Sequence, residues 1–506
     1  MILSTTPRAA HRLASTCASL LAIAGALFFA CSDTPPTRQD GTGHTLTANE
    51  LPVGGLDPTD ALNEEFRSVV LMFSAGQGLD FFKLPESTDY NAIPQDPLNP
   101  ITAAKVSLGR LLFHEAELGG NNVRPEGAQT YVCATCHPVQ SSFFSALPQA
   151  IGEGGSGFGA TGEGRVLDPA YDSAPDEPDV QPLRSPTTVN IAFQQLAMRD
   201  GRLGGVGLNT GTDPLWNEAD GTDANSLGHH GPETQAFAGL KDHRMGDVDS
   251  TGVAGDSTYQ ALFAAAFPGD PVVNRYNAAM ALAAYERTIL SNQAPFQLWL
   301  RGQKYTMTDA ELRGGILFFT RASCNTCHTG KSLSATSFFA IGMHDLDNSA
   351  DPARVDLTRF GGTVPDRWRK GRGGFTGNAI EEFAFKVPTL YNVRDARFYG
   401  HGASFTTIRD VVQYYNQGVK ENPHVPLAKI TPLFRPLNLS PQEVDDLTAF
   451  VSNALYDPNL ARYAPSSTPS GQCFPANDPQ ARTDLGCSAP SAPGAERFAL
   501  PNHVSR

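Results

Sequence analysis

The chain has 506 residues, 40% hydrophobic and 18% charged, which leaves room for two or three domains of ordinary soluble composition. Its net charge of -14 argues against nucleic acid as a partner, since neutralising phosphates needs the opposite sign. With 48 glycines and 38 prolines, long irregular segments are predicted between the regular elements.

Residues 1–30 read as a secretory signal peptide. Arg8, His11 and Arg12 precede an apolar run from Leu20 to Ala30 that is too short for a stable membrane span. The run ends Leu27-Phe28-Phe29-Ala30-Cys31, which resembles a bacterial lipoprotein cleavage box. It marks Cys31 as a lipid anchor, with simple cleavage as the alternative. Residues 31–61 are rich in Thr, Pro, Gly and Asp without an apolar period, and read as a tether. The predicted localisation is exported and periplasmic, attached to the membrane only through Cys31.

Leu62 to Ala75 carries apolar residues at helical spacing, and Thr102 caps a second helix bearing Val106, Leu108, Leu111, Leu112 and Phe113. Residues 138–182 read as a long surface loop. A short helix through Met198 follows Pro186-Thr187-Thr188-Val189-Asn190, and a Gly/Asp-rich loop continues to His230, with His229 and His230 expected in solvent. Helices are predicted at 256–267 and 274–292. A further one spans Thr308 to Phe319, with Glu311 completing a capping box on Thr308. Residues 343–383 form a polar insertion. Helices at Thr406–Tyr415 and Ser440–Leu455 close the body, the latter with Glu443 boxing Ser440, and no long strand is evident.

The chemistry sits in two C-x-x-C-H motifs, Cys133-Ala134-Thr135-Cys136-His137 and Cys324-Asn325-Thr326-Cys327-His328. Two thiols at this spacing can add across the two vinyl groups of one porphyrin, and the adjacent histidine then supplies an axial nitrogen to the iron. Zinc or disulfide chemistry is the alternative, but no other cysteine pair of this spacing exists to complete a four-cysteine zinc site. Cys133, Cys136, Cys324 and Cys327 therefore predict two covalently bound c-type haems with His137 and His328 as iron ligands. Of the remaining cysteines, Cys17 and Cys31 lie in the leader. Cys473 and Cys487 fall in a Pro/Ser/Gly-rich tail, where a disulfide is plausible after export; two exposed thiols are the alternative. The two halves share one order: helix, C-x-x-C-H, variable loop, Pro-Thr-x-x-Asn, helix.

From Phe82 to Leu455 the chain resembles the bacterial di-haem cytochrome c peroxidases and their MauG relatives. The resemblance rests on Leu108-Gly109-Arg110-Leu111-Leu112-Phe113, Asp200-Gly201-Arg202, Gln235-Ala236 and Met245-Gly246. It continues through Val387-Pro388-Thr389-Leu390-Tyr391-Asn392-Val393, His401-Gly402 and Tyr415-Asn416-Gln417-Gly418. It implies a mainly α fold: two cytochrome-c-like haem domains packed face to face, with long irregular loops. The N-terminal, peroxidatic domain is expected at 62–300, the C-terminal, electron-transfer domain at 301–464, and the tail at 465–506.

The resemblance further implies that His137 holds the peroxide-reacting haem and His328 the electron-transfer haem. Tyr415 matches the position of the second haem's far ligand, with Met343 as its competitor and Tyr414 facing elsewhere. Gln235 matches a distal Gln. The family's distal Glu is replaced by Arg244, with His243 beside it; an Arg can stabilise charge on a leaving oxygen but cannot act as a base. His243 is the candidate proton shuttle. Residues 138–182 contain no His to block the first iron, which predicts an open face there. Arg199 replaces an inter-haem Trp, and Arg184 stands where an Asn would hold an interdomain calcium, which argues against calcium here. His401 matches a His beside the second haem.

The expected activity is reduction of hydrogen peroxide with electrons from a small cytochrome c or cupredoxin. The alternatives are a MauG-like oxidase acting on an organic or protein substrate, or a non-catalytic di-haem carrier.

Overall fold

A computed structural model describes residues 58–171 and 178–487, together with one antiparallel strand pair, Arg38–Gln39 and Thr45–Leu46, in a separate unit spanning Met1–Asp57. The predicted signal peptide, Cys31 and most of the tether lie outside the described residues. Pro58–Arg506 forms one compact unit.

Helices α1 (Pro58–Met72), α2 (Ala103–Leu112), α3 (Gly231–Asp242), α4 (Ser257–Ala266), α5 (Arg275–Arg287), α6 (Pro295–Leu300), α7 (Asp309–Phe319), α8 (Ile408–Gln417), α9 (Pro441–Ala449) and α10 (Pro479–Leu485) carry the fold. Their starts follow side-chain caps. Thr102 accepts from Lys105 N, and Thr308 and Ser440 form full capping boxes with Glu311 and Glu443. Strands are short; the largest ladder pairs Ala335–Phe339 with Phe385–Val387.

One packing device occurs twice. In the first half α2 crosses α5 at Gly109, where an added Cβ would lie 1.9 Å from the Ala281 carbonyl oxygen and 2.9 Å from Tyr285 Cβ. In the second half α7 crosses α9 at Gly314, where a Cβ would lie 1.9 Å from the Asp446 carbonyl oxygen and 2.9 Å from Phe450 Cβ. Only glycine lets each helix pair approach so closely. The asparagines of the two Pro-Thr-x-x-Asn motifs also match. Asn190 and Asn392 both have φ of 57°, and their backbone N–H groups donate to Ile289 O at 2.8 Å and Leu455 O at 3.0 Å.

The chain ends cross over. Helix α1 belongs by sequence to the first half, yet its Phe66 ring packs tilted against Trp299 at 4.6 Å and meets Phe319 and Phe450 of the second half at 6.2 and 6.1 Å. The tail instead lies on the first half. Thr135, inside the first cysteine motif, donates to Pro475 O at 2.5 Å; Ser470 donates to Glu115 at 2.6 Å; Asp478 pairs with buried Arg165 at 3.3 Å. A Cys473–Cys487 disulfide closes this tail.

Several expectations need correction. Residues 138–171 are irregular but largely buried, with Phe143, Phe158, Glu153 and Arg165 at 0–2% exposure, so this is not a surface loop. Its buried charges are paired with distant residues, Glu153 with Arg244 and Arg165 with Asp478, which a composition reading cannot show. Helix α3 was not anticipated; Pro232 at its first turn marks its start. The helix expected through Met198 shrinks to a single turn at Ile191–Phe193, and the one expected to reach 292 stops at Arg287. His229 is buried, not solvent-exposed: Nδ1 lies 3.1 Å from Asp96 Oδ2 and Nε2 lies 3.0 Å from Tyr276 Oη.

Candidate functional site

The first motif forms a single helical turn, Cys133–Cys136, delivered by α2. Both thiols and the His137 ring line one cavity. His137 Nδ1 faces Phe143 O at 3.3 Å, which orients the ring and leaves Nε2 available. Burial pushes this imidazole down to about 4, so it is neutral at physiological pH, the form that ligates a metal. The second motif repeats the arrangement: His328 Nδ1 faces Leu333 O at 3.2 Å and Pro388 O at 3.1 Å, and burial again lowers its pKa to about 4.

Across the first cavity lies α3. Gln235, Gly239 and His243 are four residues apart and share one face, and all three line the cavity with His137. A Cβ at Gly239 would meet Gln235 Nε2 at 3.1 Å and His243 Cδ2 at 3.8 Å, so the glycine leaves open space flanked by two polar groups. His243 Nδ1 is 2.8 Å from Asp179 Oδ2. Burial lowers the pKa of His243, but the charge and hydrogen bond of Asp179 outweigh it and lift it to about 9. Arg244 does not line this cavity. It adopts a left-handed backbone with φ of 58°, and its guanidinium pairs with buried Glu153 at 2.5 Å. The structure thus brings Gln235 and His243 together over His137 and turns Arg244 towards Glu153.

Two cavity groups were missed from sequence: Asp179, and Glu286 of α5. Glu286 is 5% exposed, its Oε2 has no hydrogen-bond partner, and burial followed by the nearby Glu233 charge pushes its pKa up to about 8. A lone carboxylate on the buried, Ala-rich face of a helix was the available signal.

At the second motif, Tyr415 and Tyr414 part ways. Tyr414 Oη donates to Ile341 O at 2.6 Å, whereas Tyr415 Oη has no hydrogen-bond partner among the described residues. Burial, then the nearby Cys327 and Cys324 sulfurs, raise the Tyr415 pKa. Met343 packs in an apolar cluster with Tyr414 and Phe434. His401 lies 3.1 Å from Asp345 and stacks on Phe385 at 3.8 Å.

These residues fit a haem at each motif. Cys133, Cys136, Cys324 and Cys327 remain free thiols while Cys473 and Cys487 are paired, and each motif histidine keeps one ring nitrogen uncommitted. Among the described residues, no group of three or more His, Cys, Asp or Glu is placed to hold a metal ion by itself. No helix among them is long and apolar enough to cross a membrane.

Residues 103–305 match the family model described as di-haem cytochrome c peroxidase. The chain is 28% identical over 383 residues to the cytochrome-c peroxidase IdrP1 of Denitromonas iodatirespirans, covering 73% of this chain and 86% of that one. It is 25% identical over 381 residues to the methylamine utilization protein MauG of Methylorubrum extorquens, covering 74% and 84%. With the cytochrome c551 peroxidase of Pseudomonas aeruginosa it shares 24% identity over 354 residues, covering 70% and 79%. Among solved structures, a MauG-like protein associated with microbial copper homeostasis aligns with a TM-score of 0.50 at 23% identity, covering 74% of this chain and 95% of that one, a likeness of fold.

Proposed function

The chain belongs to the di-haem cytochrome c peroxidase and MauG family and is an oxidoreductase of peroxidase type, and from that premise we propose that it reduces hydrogen peroxide with electrons from a small exported cytochrome or cupredoxin. In this reading residues 62–300 and 301–464 each carry one covalently attached haem, the two facing each other, and the protein works in the periplasm, anchored through Cys31. The observation that carries it is the cavity over His137, with Gln235 and His243 held on one face around the open space at Gly239.

A haem held by Cys133, Cys136 and His137 would supply the redox chemistry needed to reduce peroxide. Turning one peroxide into two waters consumes two electrons and two protons. Gln235 orients the bound oxidant by hydrogen bonding. His243, held as an imidazolium by Asp179, gives a proton to the departing oxygen and is reprotonated from solvent. As a cation it would be a poor ligand for an iron held at His137. Arg244, paired with Glu153, fixes the backbone beside His243 and adds positive charge near it.

Mass analysis of the mature protein should find two thioether-linked haems, and the reduced protein should oxidise a donor cytochrome rapidly when peroxide is added. Fewer than two haems, or no donor oxidation, refutes the reading. A second reading, oxidation of an organic or protein substrate, is favoured by Tyr415, whose uncommitted hydroxyl lies near Cys324 and Cys327; a tyrosinate ligand would stabilise oxidised iron at the second haem. A long-lived oxidised spectrum without donor turnover would select it.

A further inference from the structure

Between the two motifs the fold buries positive charge without a carboxylate to meet it. Arg184 is 3% exposed; Nη2 donates to Ser145 O at 2.9 Å, and Nε has no hydrogen-bond partner. Arg199 spends its donors on carbonyls, Nε to Arg184 O at 2.6 Å and Nη2 to Ser185 O at 3.4 Å. Lys386 follows at the seam. Its amide donates to Arg199 O at 2.8 Å, and its ammonium donates to Leu196 O at 2.6 Å and to the Gln194 side chain. None of the three makes an ion pair among the described residues, whereas Arg202 nearby is paired with Asp200 at 3.2 Å. Taking a cation out of water without a counter-charge is unfavourable, so a fold that gathers one buried and two half-buried cations at one seam leaves a place for an anion.

The place is visible. Arg184 and Arg199 line a small second cavity whose wall includes Gln181, and Gln181 also lines the cavity of Cys133, Cys136 and His137. Ser185, whose carbonyl takes the Arg199 hydrogen bond, lines that first cavity too. The two spaces therefore adjoin, and the charge of Arg184 is felt at the His137 ring. The seam reaches the other half as well, because Arg184 N donates to His401 O at 3.0 Å.

We propose that Arg184 and Arg199, backed by Lys386, form an oxyanion site that receives the propionate carboxylates of the haem held at Cys133, Cys136 and His137, a proposal that rests on the haem reading above. Guanidinium groups suit this ligand because their planar donors match a carboxylate. Burial pushes Arg199 down to about 9 and Lys386 to about 7; a bound carboxylate would restore both. The cations then do two jobs. They tie the porphyrin edge to the seam between the halves, and they stabilise the less positively charged ferrous iron over ferric.

The test is spectroelectrochemical titration of the holoprotein, wild type against Arg184→Gln, Arg199→Gln and Lys386→Gln, with Arg199→Lys as the conservative control. Haem content is measured first on every sample, so a wild type without two haems refutes the functional reading rather than this one. The expected result is two haems throughout, a lower reduction potential for one haem in the Gln variants, and recovery in Arg199→Lys. Unchanged potentials in Gln variants that keep both haems overturn the proposal. If Arg184→Gln fails to fold, the half-buried Arg199 and Lys386 variants decide alone. A wild-type potential that moves with added inorganic phosphate, and loses that response in the variants, assigns the site to a free oxyanion and overturns the propionate assignment.

Discussion

Gly239 decides what the space over His137 can admit, because Gln235 and His243 flank it on the same helix face. Gly239→Val should block peroxide binding while leaving both haems attached, measured by haem content against peroxide binding spectra. Gln235→Ala should slow the reaction with peroxide by roughly 10²-fold, the usual effect of losing one positioned donor, read by stopped flow. Tyr415→Phe should change only the low-spin spectrum, and an unchanged spectrum removes Tyr415 from the iron. Asp96 governs acid sensitivity. Burial raises its pKa, but hydrogen bonds from His229, His230 N and Leu98 N outweigh this and hold it well below the carboxylate range. A depressed carboxylate contributes stability that is fully present above its ordinary pKa and is lost as pH falls through the lowered one. Because Asp96 anchors the N-terminus of α3 through His230 N, acid should loosen the cavity helix, seen as faster amide exchange in α3 at low pH. His229 reads as a loop residue in sequence; its partner lies 133 residues away, beyond any local signal.

Among elements, the paired glycine crossings and α1 carry the most consequence. Phe66 is fully buried at the second half's core, and Gly315 makes room for it, since a Cβ there would lie 2.6 Å from its ring. Phe66→Ala should cost about 3–5 kcal/mol by loss of burial plus the cavity left behind, measured by urea denaturation. The two capping boxes were legible because their signal is local: a hydroxyl and a carboxylate three residues apart before an apolar run. Helix α3 was not, because its residues are mixed on every face and its place is set by α5 and by Asp96. The segment after the first motif misled for the opposite reason. Its small and polar residues suggest solvent, yet Glu153 and Arg165 are satisfied internally, by Arg244 and by Asp478.

At the scale of the whole molecule, the ends of the described chain lock opposite halves. α1 docks on α7, and the disulfide-closed tail docks on the first cysteine motif through Thr135 and Pro475. Cutting the chain between residues 300 and 301 should therefore not yield two stable domains, and each fragment alone should show a broad thermal transition. Replacing Cys473 and Cys487 together by Ser should cost about 3 kcal/mol, as expected for a loop of this length, and should raise hydrogen exchange around Thr135.

By itself, the sequence determined the two C-x-x-C-H motifs, the helix caps beside them and the repeated plan, because each is a short-range pattern of side-chain or backbone chemistry. Tertiary structure alone decided that Gln235 and His243 face the first cavity while Arg244 turns to Glu153, that residues 138–171 are core, and that the chain ends cross over. Those outcomes depend on partners tens to hundreds of residues away, and a buried charge reveals its role only when the group that balances it is in view.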